Sequence, residues 1–528
     1  MAKFYITTPI YYVNDTPHIG NAYTTVVADV LARWHRLVGD RTFFLTGTDE
    51  HGAKIETKAN EVGKGPQELV DEIASQFQTA WQNLNISQDR FIRTTESAHI
   101  KAVQNALQYM YDQGDIYLGK YEGLYCQGCE QYKSERDLVD GKCADHGTVP
   151  EKMSQECYMF RLSKYQAELL GKIKSDEFKI LPVERKNELI SFYEKEGLND
   201  IAFSRKNVKW GIELPWDPSQ TAYVWADAFL NYLTGLGWTG HGDDAPEMWP
   251  PDIQLMSKDI MRVHATIWPA MLLSLDLSLP LPKQLFIHGY FLIDGKKMSK
   301  SLGNVIRPEE MVARYGVDAT RYLLLSAAPF GNDGDVSWAK FDEKYNADLA
   351  NGLGNLVART LSMTEKYFDG RVPNNLRPEM VPMKKGKFKI SKFGESDIGE
   401  ELPVSMFINS QARYYVQPME QPDLFRALFE TQICISGLDK YISDYQPFKL
   451  IKEDKEKTAI ILYNCLEGLR FIALMLLSFM PTTAEKIWES LGLNPAAELK
   501  KDFNEAIKWG GLPVDAKVKK VESLFPRI

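Results

Sequence analysis

The passage that most constrains this chain runs from "FYITTPIYYV" (Phe4 to Val13) through "TPHIGN" (Thr16 to Asn21) into "NAYTTVVADVLARWHRLVG". The first run is apolar, β-branched and aromatic, as a strand requires, and the last has apolar residues at helical spacing. A strand that turns through a histidine and a glycine into a helix predicts the first βα unit of an α/β layer. Such a helix start presents unpaired N–H groups and the positive end of the macrodipole, so it favours anions. Two readings of His18 follow. It is an ordinary capping or core histidine, or it donates to phosphate while Gly20 lets a nucleotide approach the backbone.

The alternation continues. "RTFFLTGTDEHG" returns to strand and loop, and "QELVDEIASQFQTAWQNL" is a second amphipathic helix, so residues 1–113 read as half of a nucleotide-binding fold. Residues 114–222 change character, rich in Tyr, Gly, Cys and charge. The α/β pattern resumes at "TAYVWADAFLNYL", "DIQLMSKDI", "VHATIWPAMLLSL" and "QLFIHGYFLI". Residues 114–222 are therefore expected to be an insertion, with 223–295 completing the interrupted fold. Beyond Tyr345 the pattern is helical almost throughout, broken by a Lys- and Pro-containing stretch at 370–401 that reads as a loop or linker.

A chain of 528 residues should divide into about three or four domains. Nothing in "MAKFYITTPIYYV" resembles a secretory signal, and the apolar run Phe471 to Met480 is too short to span a bilayer. The expectation is a cytoplasmic protein with no membrane partner. The net charge of −9 argues against a general nucleic-acid coat, though not against a partner that meets one positive face. Two basic stretches, Lys384 to Lys392 and Lys517 to Lys520, read as solvated surface lysines.

Two further stretches carry chemistry. In "DGKKMSKSLGN" (Asp294 to Asn304), Lys297 and Lys300 stand among serines and glycines. Ammonium groups on such a loop can stabilise the charge that builds on a departing pyrophosphate. The loop alone is weak, but together with His18 it suggests a triphosphate clamp. In "CQGC" (Cys126, Cys129) and "CADH" (Cys143, His146), a CxxC is followed after thirteen residues by a CxxH. That spacing predicts a closed tetrahedral zinc site, structural because no position is left for water. A redox pair at Cys126 and Cys129, or unligated thiols, is the competing reading.

The "PHIGN" and "KMSKS" stretches resemble the signatures of class I aminoacyl-tRNA synthetases. "TTPIYYVND", "FFLTGTDEHG", "YVWADAFLNY", "KDIMRVHATIWPAM" and "HGYFLIDGKKMSKSLGN" resemble the methionyl-tRNA synthetase family. The resemblance covers nearly the whole chain. It implies a Rossmann-type catalytic core with a zinc-knuckle connective insertion, a loop and stem-contact region at 296–345, and an all-α anticodon-binding domain at 346–528. It also implies activation of L-methionine with Mg2+-ATP and transfer to initiator and elongator tRNA(Met).

Carried over residue by residue, it makes His18, Lys297 and Lys300 catalytic. It puts Gly20, Asn21 and Asp259 at ATP and the amino group of methionine at Asp49. Tyr12, Trp225, Ala228, Tyr232, Ile260 and His264 line the methionine side chain, with His264 a polar group near sulfur, and Zn2+ falls to the Cys/His quartet. Asn355 and Arg359 match anticodon contacts, with Phe448 where the family usually has a stacking tryptophan. Two departures stand out: Asn21 replaces a second histidine, and Ser257 replaces a glycine two residues before Asp259.

The C-terminal "KVKKVESLFPRI" leaves no room for the added β-barrel of many relatives, so a monomer is expected. Two alternatives remain: a class I synthetase for another apolar amino acid, and a catalytically silent RNA-binding relative.

Overall fold

The computed structural model describes residues 2–528 apart from 129–130, 134–137, 144–145, 207, 241–244, 276–278, 299–302, 375–377, 392 and 520–521. Its centre is a six-stranded sheet, parallel throughout, in the order Arg90–Arg93, Arg41–Asp49, Lys3–Tyr12, Ile253–Ser257, Gln284–His288, Lys179–Leu181. Strands of this kind are covered on both faces. Tyr5, Ile6, Phe44, Leu45, Leu255, Met256, Leu285 and Ile287 are accordingly all buried. The opening strand carries Pro9, which cannot donate to the ladder, and its register with the neighbouring strand slips between Thr7 and Ile10.

From the opening strand the chain builds outward first to one side, through Arg41–Asp49, and later to the other, through Ile253–Ser257. The order of the sheet therefore reverses between Lys3–Tyr12 and Ile253–Ser257. In an open α/β sheet the ligand crevice lies outside the carboxyl ends of the strands at that point. The segments leaving those two ends carry His18 and Asp259.

Within 114–222, a four-stranded antiparallel sheet forms from Gln131–Lys133, Ile116–Cys126, Glu151–Phe160 and Ile201–Ala202. The expected boundaries of the insertion need correcting. Lys179–Leu181, inside that range, pairs with Gln284–His288 as the sixth strand of the central sheet. Three residues are too few to show a strand period, so this return to the core has no signature in the sequence.

The C-terminal half packs helices Val404–Glu420, Leu424–Tyr445 and Lys455–Leu476 into one core. Lys455–Leu476 is long and apolar enough to cross a membrane, yet 94% of its most apolar window is buried inside the protein. A helix apolar all round is a core helix in this setting.

Part of the expected loop at 370–401 is ordered as a hairpin, Gly386–Ile390 against Gly394–Ile398, with both Ile390 and Ile398 buried. Its register sets Lys387 opposite Asp397 and Lys389 opposite Glu395, so these lysines face acids rather than forming a basic patch.

The two halves meet at Arg321, fully buried on Val317–Leu325. Its guanidinium donates to the carbonyls of Phe479 (2.8 Å), Ser478 (3.0 Å) and Leu84 (3.2 Å), and pairs with Asp29 at 2.7 Å. Asp29 lies on Ile19–Leu37, the helix that His18 caps.

Candidate functional site

His18 is the N-cap of Ile19–Leu37, with extended backbone. Its Nδ1 accepts the N–H of Gly20 at 3.0 Å, while its own N–H donates to Asn21 Oδ1 at 3.0 Å. This reciprocal bonding is a capping box with histidine and asparagine in place of the usual pair. Burial holds the imidazole below its ordinary 6.5; Lys297 pushes in the same direction, and Asp15 and Asp259 oppose it. The neutral ring, accepting at Nδ1, carries its proton on Nε2. Asn21 keeps its Nδ2 amide hydrogens for another partner. Gly20 is required by geometry, since a Cβ there would lie 2.8 Å from His18 Cε1 and 2.9 Å from Nδ1.

The described residues on either side of Lys300 approach the same place. The Ile19 N–H donates to the Ile306 carbonyl at 3.1 Å, and Met298 Cε would lie 3.7 Å from a Cβ on residue 20. Lys297 and Lys258 both rest on the Tyr290 ring, at 4.3 and 4.6 Å from its centroid. Lys300 lies outside the described residues. Asp259 is exposed just past the end of Ile253–Ser257 and accepts from the Ser257 hydroxyl. The residue that departs from glycine thus orients the carboxylate expected near ribose.

The expected methionine residues come from four segments. Tyr12 and Asp49 are register partners at the carboxyl ends of adjacent strands, and the Val13 N–H donates to the Asp49 carbonyl at 3.2 Å. Trp225 stacks on Phe229 (5.1 Å), and Phe229 meets the edge of His264 (4.9 Å). Tyr232 and Trp268 close the cluster at 5.6 Å. Asp49, Ala228, Tyr232 and His264 are buried, whereas Tyr12, Trp225 and Ile260 are half-buried.

His264 has no spare hydrogen. Nδ1–H donates to the Ile260 carbonyl (2.9 Å), Nε2 accepts from the Tyr232 hydroxyl (2.8 Å), and burial pushes its pKa down to about 4. It is therefore the rigid, neutral end of a Tyr–His pair, with no hydrogen left to donate.

Some supporting residues have no signature in the sequence. His288 Nδ1–H donates to the Gly289 carbonyl, and Nε2 accepts from Thr24 Oγ1 at 2.7 Å, tying the capped helix to Gln284–His288. Phe229 and Trp268 join the pocket cluster only through packing. Aromatics at helical spacing read equally well as core.

In the insertion, ligand atoms of Cys126, Cys143 and His146 all lie within 4.8 Å of one another, with Cys143 Sγ 3.9 Å from His146 Nδ1. A tetrahedral zinc ion holds such atoms about 3.6–3.8 Å apart, so the donor set fits. The His146 ring lies over Gly128, where a Cβ would meet it at 2.6 Å. Cys129 is outside the described residues.

On the helical half, Arg359 Nη1 pairs with Asp439 at 2.8 Å, linking Asn355–Phe368 to Leu424–Tyr445. Asn355 is exposed one turn earlier, and Phe448 is 44% exposed. Lys449 Nζ lies 5.9 Å from the centroid of the Phe448 ring.

A parallel sheet with a capped anion-binding helix start at its switch point, a lysine loop beside it and an aromatic pocket across it defines a nucleotide-dependent enzyme of the Rossmann type. The family model for class I tRNA synthetases (M) matches residues 4–145 and 133–361, and that for the anticodon binding domain of methionyl tRNA ligase matches 395–528. The chain belongs to the methionyl-tRNA synthetase family of class I. It is 44% identical to the methionine–tRNA ligase of Caldanaerobacter subterraneus subsp. tengcongensis, over 99% of this chain and 79% of that one. It is 39% identical to that of Streptomyces coelicolor, over 99% and 96%. The Mycobacterium tuberculosis methionyl-tRNA synthetase in complex with methionyl-adenylate is similar in structure, with a TM-score of 0.88, 36% identity and full coverage of both chains.

Proposed function

We infer that this chain is a methionine–tRNA ligase. It joins L-methionine to ATP to give methionyl adenylate and pyrophosphate, then esterifies the terminal adenosine of tRNA(Met). The observation that carries the reading is that Asp259, at the end of Ile253–Ser257, acts electrostatically on both His18 and His264, so the capped helix start and the Trp225–Phe229–His264–Tyr232 cluster flank one strand end.

In this reading the pocket holds the methionine side chain among aromatic faces, where a thioether packs well. The buried Asp49 carboxylate, at the strand end beside Tyr12, holds the ammonium group. The methionine carboxylate then attacks the α-phosphate in line. His18 Nε2–H and the Asn21 amide stabilise phosphate oxygens, Gly20 leaves room for the nucleotide beside the cap, Asp259 orients ribose, and Lys297 with Lys300 draws the leaving pyrophosphate away. These groups work by positioning and by charge complementarity to the transition state. Mg2+ accompanies ATP and neutralises phosphate charge.

Methionine-dependent exchange of pyrophosphate into ATP tests the assignment. Exchange that ignores methionine, or that favours another apolar amino acid, would sink it; absence of any ATP turnover would favour the silent relative instead.

Zn2+ would be held by Cys126, Cys129, Cys143 and His146 and would supply folding energy to the knuckle rather than a catalytic step. The Cys143→Ser variant should lose its one equivalent of zinc by elemental analysis and expose the knuckle to proteolysis, while the sheet core stays folded. Retention of stoichiometric zinc would contradict the ligand set.

For tRNA, Asn355, Arg359 and the partly exposed Phe448 ring form the anticodon surface. An aromatic platform contributes about 1–3 kcal/mol per stacked base. Phe448→Ala should therefore raise the KM for tRNA(Met) by about 5- to 150-fold, a range that follows from that energy, and leave pyrophosphate exchange unaltered. The reading extends to a cytoplasmic monomer that charges initiator and elongator tRNA alike. Light scattering should give 60.2 kDa.

A further inference from the structure

Two residues beyond Asp49, His51 is held by a buried carboxylate that none of the roles above uses. Asp227 lies between Trp225 and Ala228 on Val224–Ala228 and is 1% exposed. It uses both oxygens on histidines: His51 Nδ1 lies 2.6 Å from Oδ2, and His99 Nε2 lies 2.8 Å from Oδ1. His99 Nδ1 is in turn 2.7 Å from Thr234 Oγ1. Burial opposes ionisation of Asp227, but the two imidazoles outweigh it and hold its pKa down to about 2.

A buried carboxylate on Nδ1 keeps the proton of His51 there and makes Nε2 the basic nitrogen, oriented and ready to be stabilised as imidazolium. His99 has both ring nitrogens engaged, whereas Nε2 of His51 makes no hydrogen bond among the described residues. His51 borders a small cavity that also touches Trp210, Tyr223 and Arg205. Trp210 fixes the loop from both sides, its Nε1–H donating to the Glu50 carbonyl (2.6 Å) and its carbonyl accepting from the Gly52 N–H (2.9 Å).

The placement relative to the reaction follows from the chain. Two residues span at most about 7 Å, so His51 is tethered that close to the backbone of Asp49. Its carboxylate partner shares one short helix with the pocket residues Trp225 and Ala228. The dyad thus joins the segment that carries Asp49 to the segment that carries Trp225 and Ala228; in the reading above these hold the amino group and the side chain of methionine, whose carbonyl would then lie within reach of both.

We propose that His51 is the general base of the transfer half-reaction, its Nε2 taking the proton of the tRNA 2′ or 3′ hydroxyl as that oxygen attacks the methionyl carbonyl. The ester C–O bond forms, the bond between the carbonyl carbon and the adenylate phosphate oxygen breaks, and AMP leaves with the electron pair. The imidazolium, paired with Asp227, then passes the proton to the AMP phosphate or to solvent. Formation of the adenylate needs no such base, because the methionine carboxylate attacks already ionised. The proposal rests on the reading of the chain as a methionine–tRNA ligase.

The test compares two rates in the full-length protein: single-turnover transfer from preformed methionyl adenylate to tRNA(Met), and methionine-dependent pyrophosphate exchange. In His51→Gln the side-chain amide can still donate to Asp227 but cannot accept a proton. The ratio of transfer to exchange should fall by about 10²–10⁴-fold, the range for general-base catalysis. His51→Ala should show the same fall in the ratio, even where its yield or stability is reduced. A ratio unchanged in His51→Gln, whether both rates drop together or neither does, overturns the proposal. Absence of exchange in the parent protein would fail the functional reading itself and is distinguishable on that ground.

Discussion

Replacing His18 by asparagine should slow methionine-dependent pyrophosphate exchange by about 10²–10³-fold, the loss typical of removing one preorganised donor to developing charge. The choice of asparagine separates two roles that one ring now fills. His18 caps Ile19–Leu37 through Nδ1 and presents Nε2–H on the ring's other edge. Asparagine is among the best N-caps, so the helix start and its stability should survive, whereas alanine would cost about 0.5–2 kcal/mol in addition. Its side chain is too short to put a second donor where Nε2 now is. Urea unfolding and the exchange rate, measured on both variants, give the two contributions independently. An exchange rate preserved in His18→Asn would mean that the histidine serves only as a cap.

The largest expected loss of stability is at Arg321. Arg321→Met removes a guanidinium that serves Asp29 and three carbonyls, all in the dry seam between the catalytic and helical halves. Breaking a buried pair from one side typically costs about 3–5 kcal/mol, because the remaining charge and carbonyls stay buried without it. Arg33 and Ser87 also hold Asp29, which places the expected loss toward the lower end. The loss should appear as a lower midpoint in urea, with the helical half releasing before the sheet. A second change, Asp29→Asn, should recover part of it, because the carboxylate then no longer needs a counter-charge. An unchanged midpoint in Arg321→Met would show that the seam is held by apolar packing alone.

Legibility in the sequence differed from feature to feature, and distance along the chain explains the difference. The His18 cap, the Gly20 approach and the CxxC and CxxH pairs are made by residues within three of one another, so local spacing carries their geometry. The hairpin at 386–398 had a readable period-2 pattern in "KFKI", but its lysines masked it as a polar loop. Only the register showed Lys387 and Lys389 set against acids. Lys179–Leu181 could not be read as a sheet strand, because its partner lies about a hundred residues away and three residues have no period.

The pocket is intermediate. Trp225, Tyr232 and His264 were nameable through resemblance, since aromatics at helical spacing look the same in a core and in a site. What His264 can do was decided by two hydrogen bonds from other positions, which leave it without a proton to give. Asn21 changed in a similar way. Read alone it was a neutral substitute for a histidine, and in the folded chain its carbonyl oxygen completes the cap of the residue it was compared with.

By itself, the order of residues determined an α/β core interrupted by a cysteine-bearing insertion and followed by a helical half. It also determined that a histidine would stand at a helix start, where unpaired N–H groups favour an anion. These are consequences of backbone periodicity and of donors placed a few residues apart, which no tertiary contact can reverse. Only the tertiary structure decided which imidazole faces a buried carboxylate and which has both nitrogens spent, at His51 and His264 respectively. The proton on an imidazole is placed by whatever faces each nitrogen, and for His51 and His264 that partner arrives from distant chain or from a neighbouring helical turn.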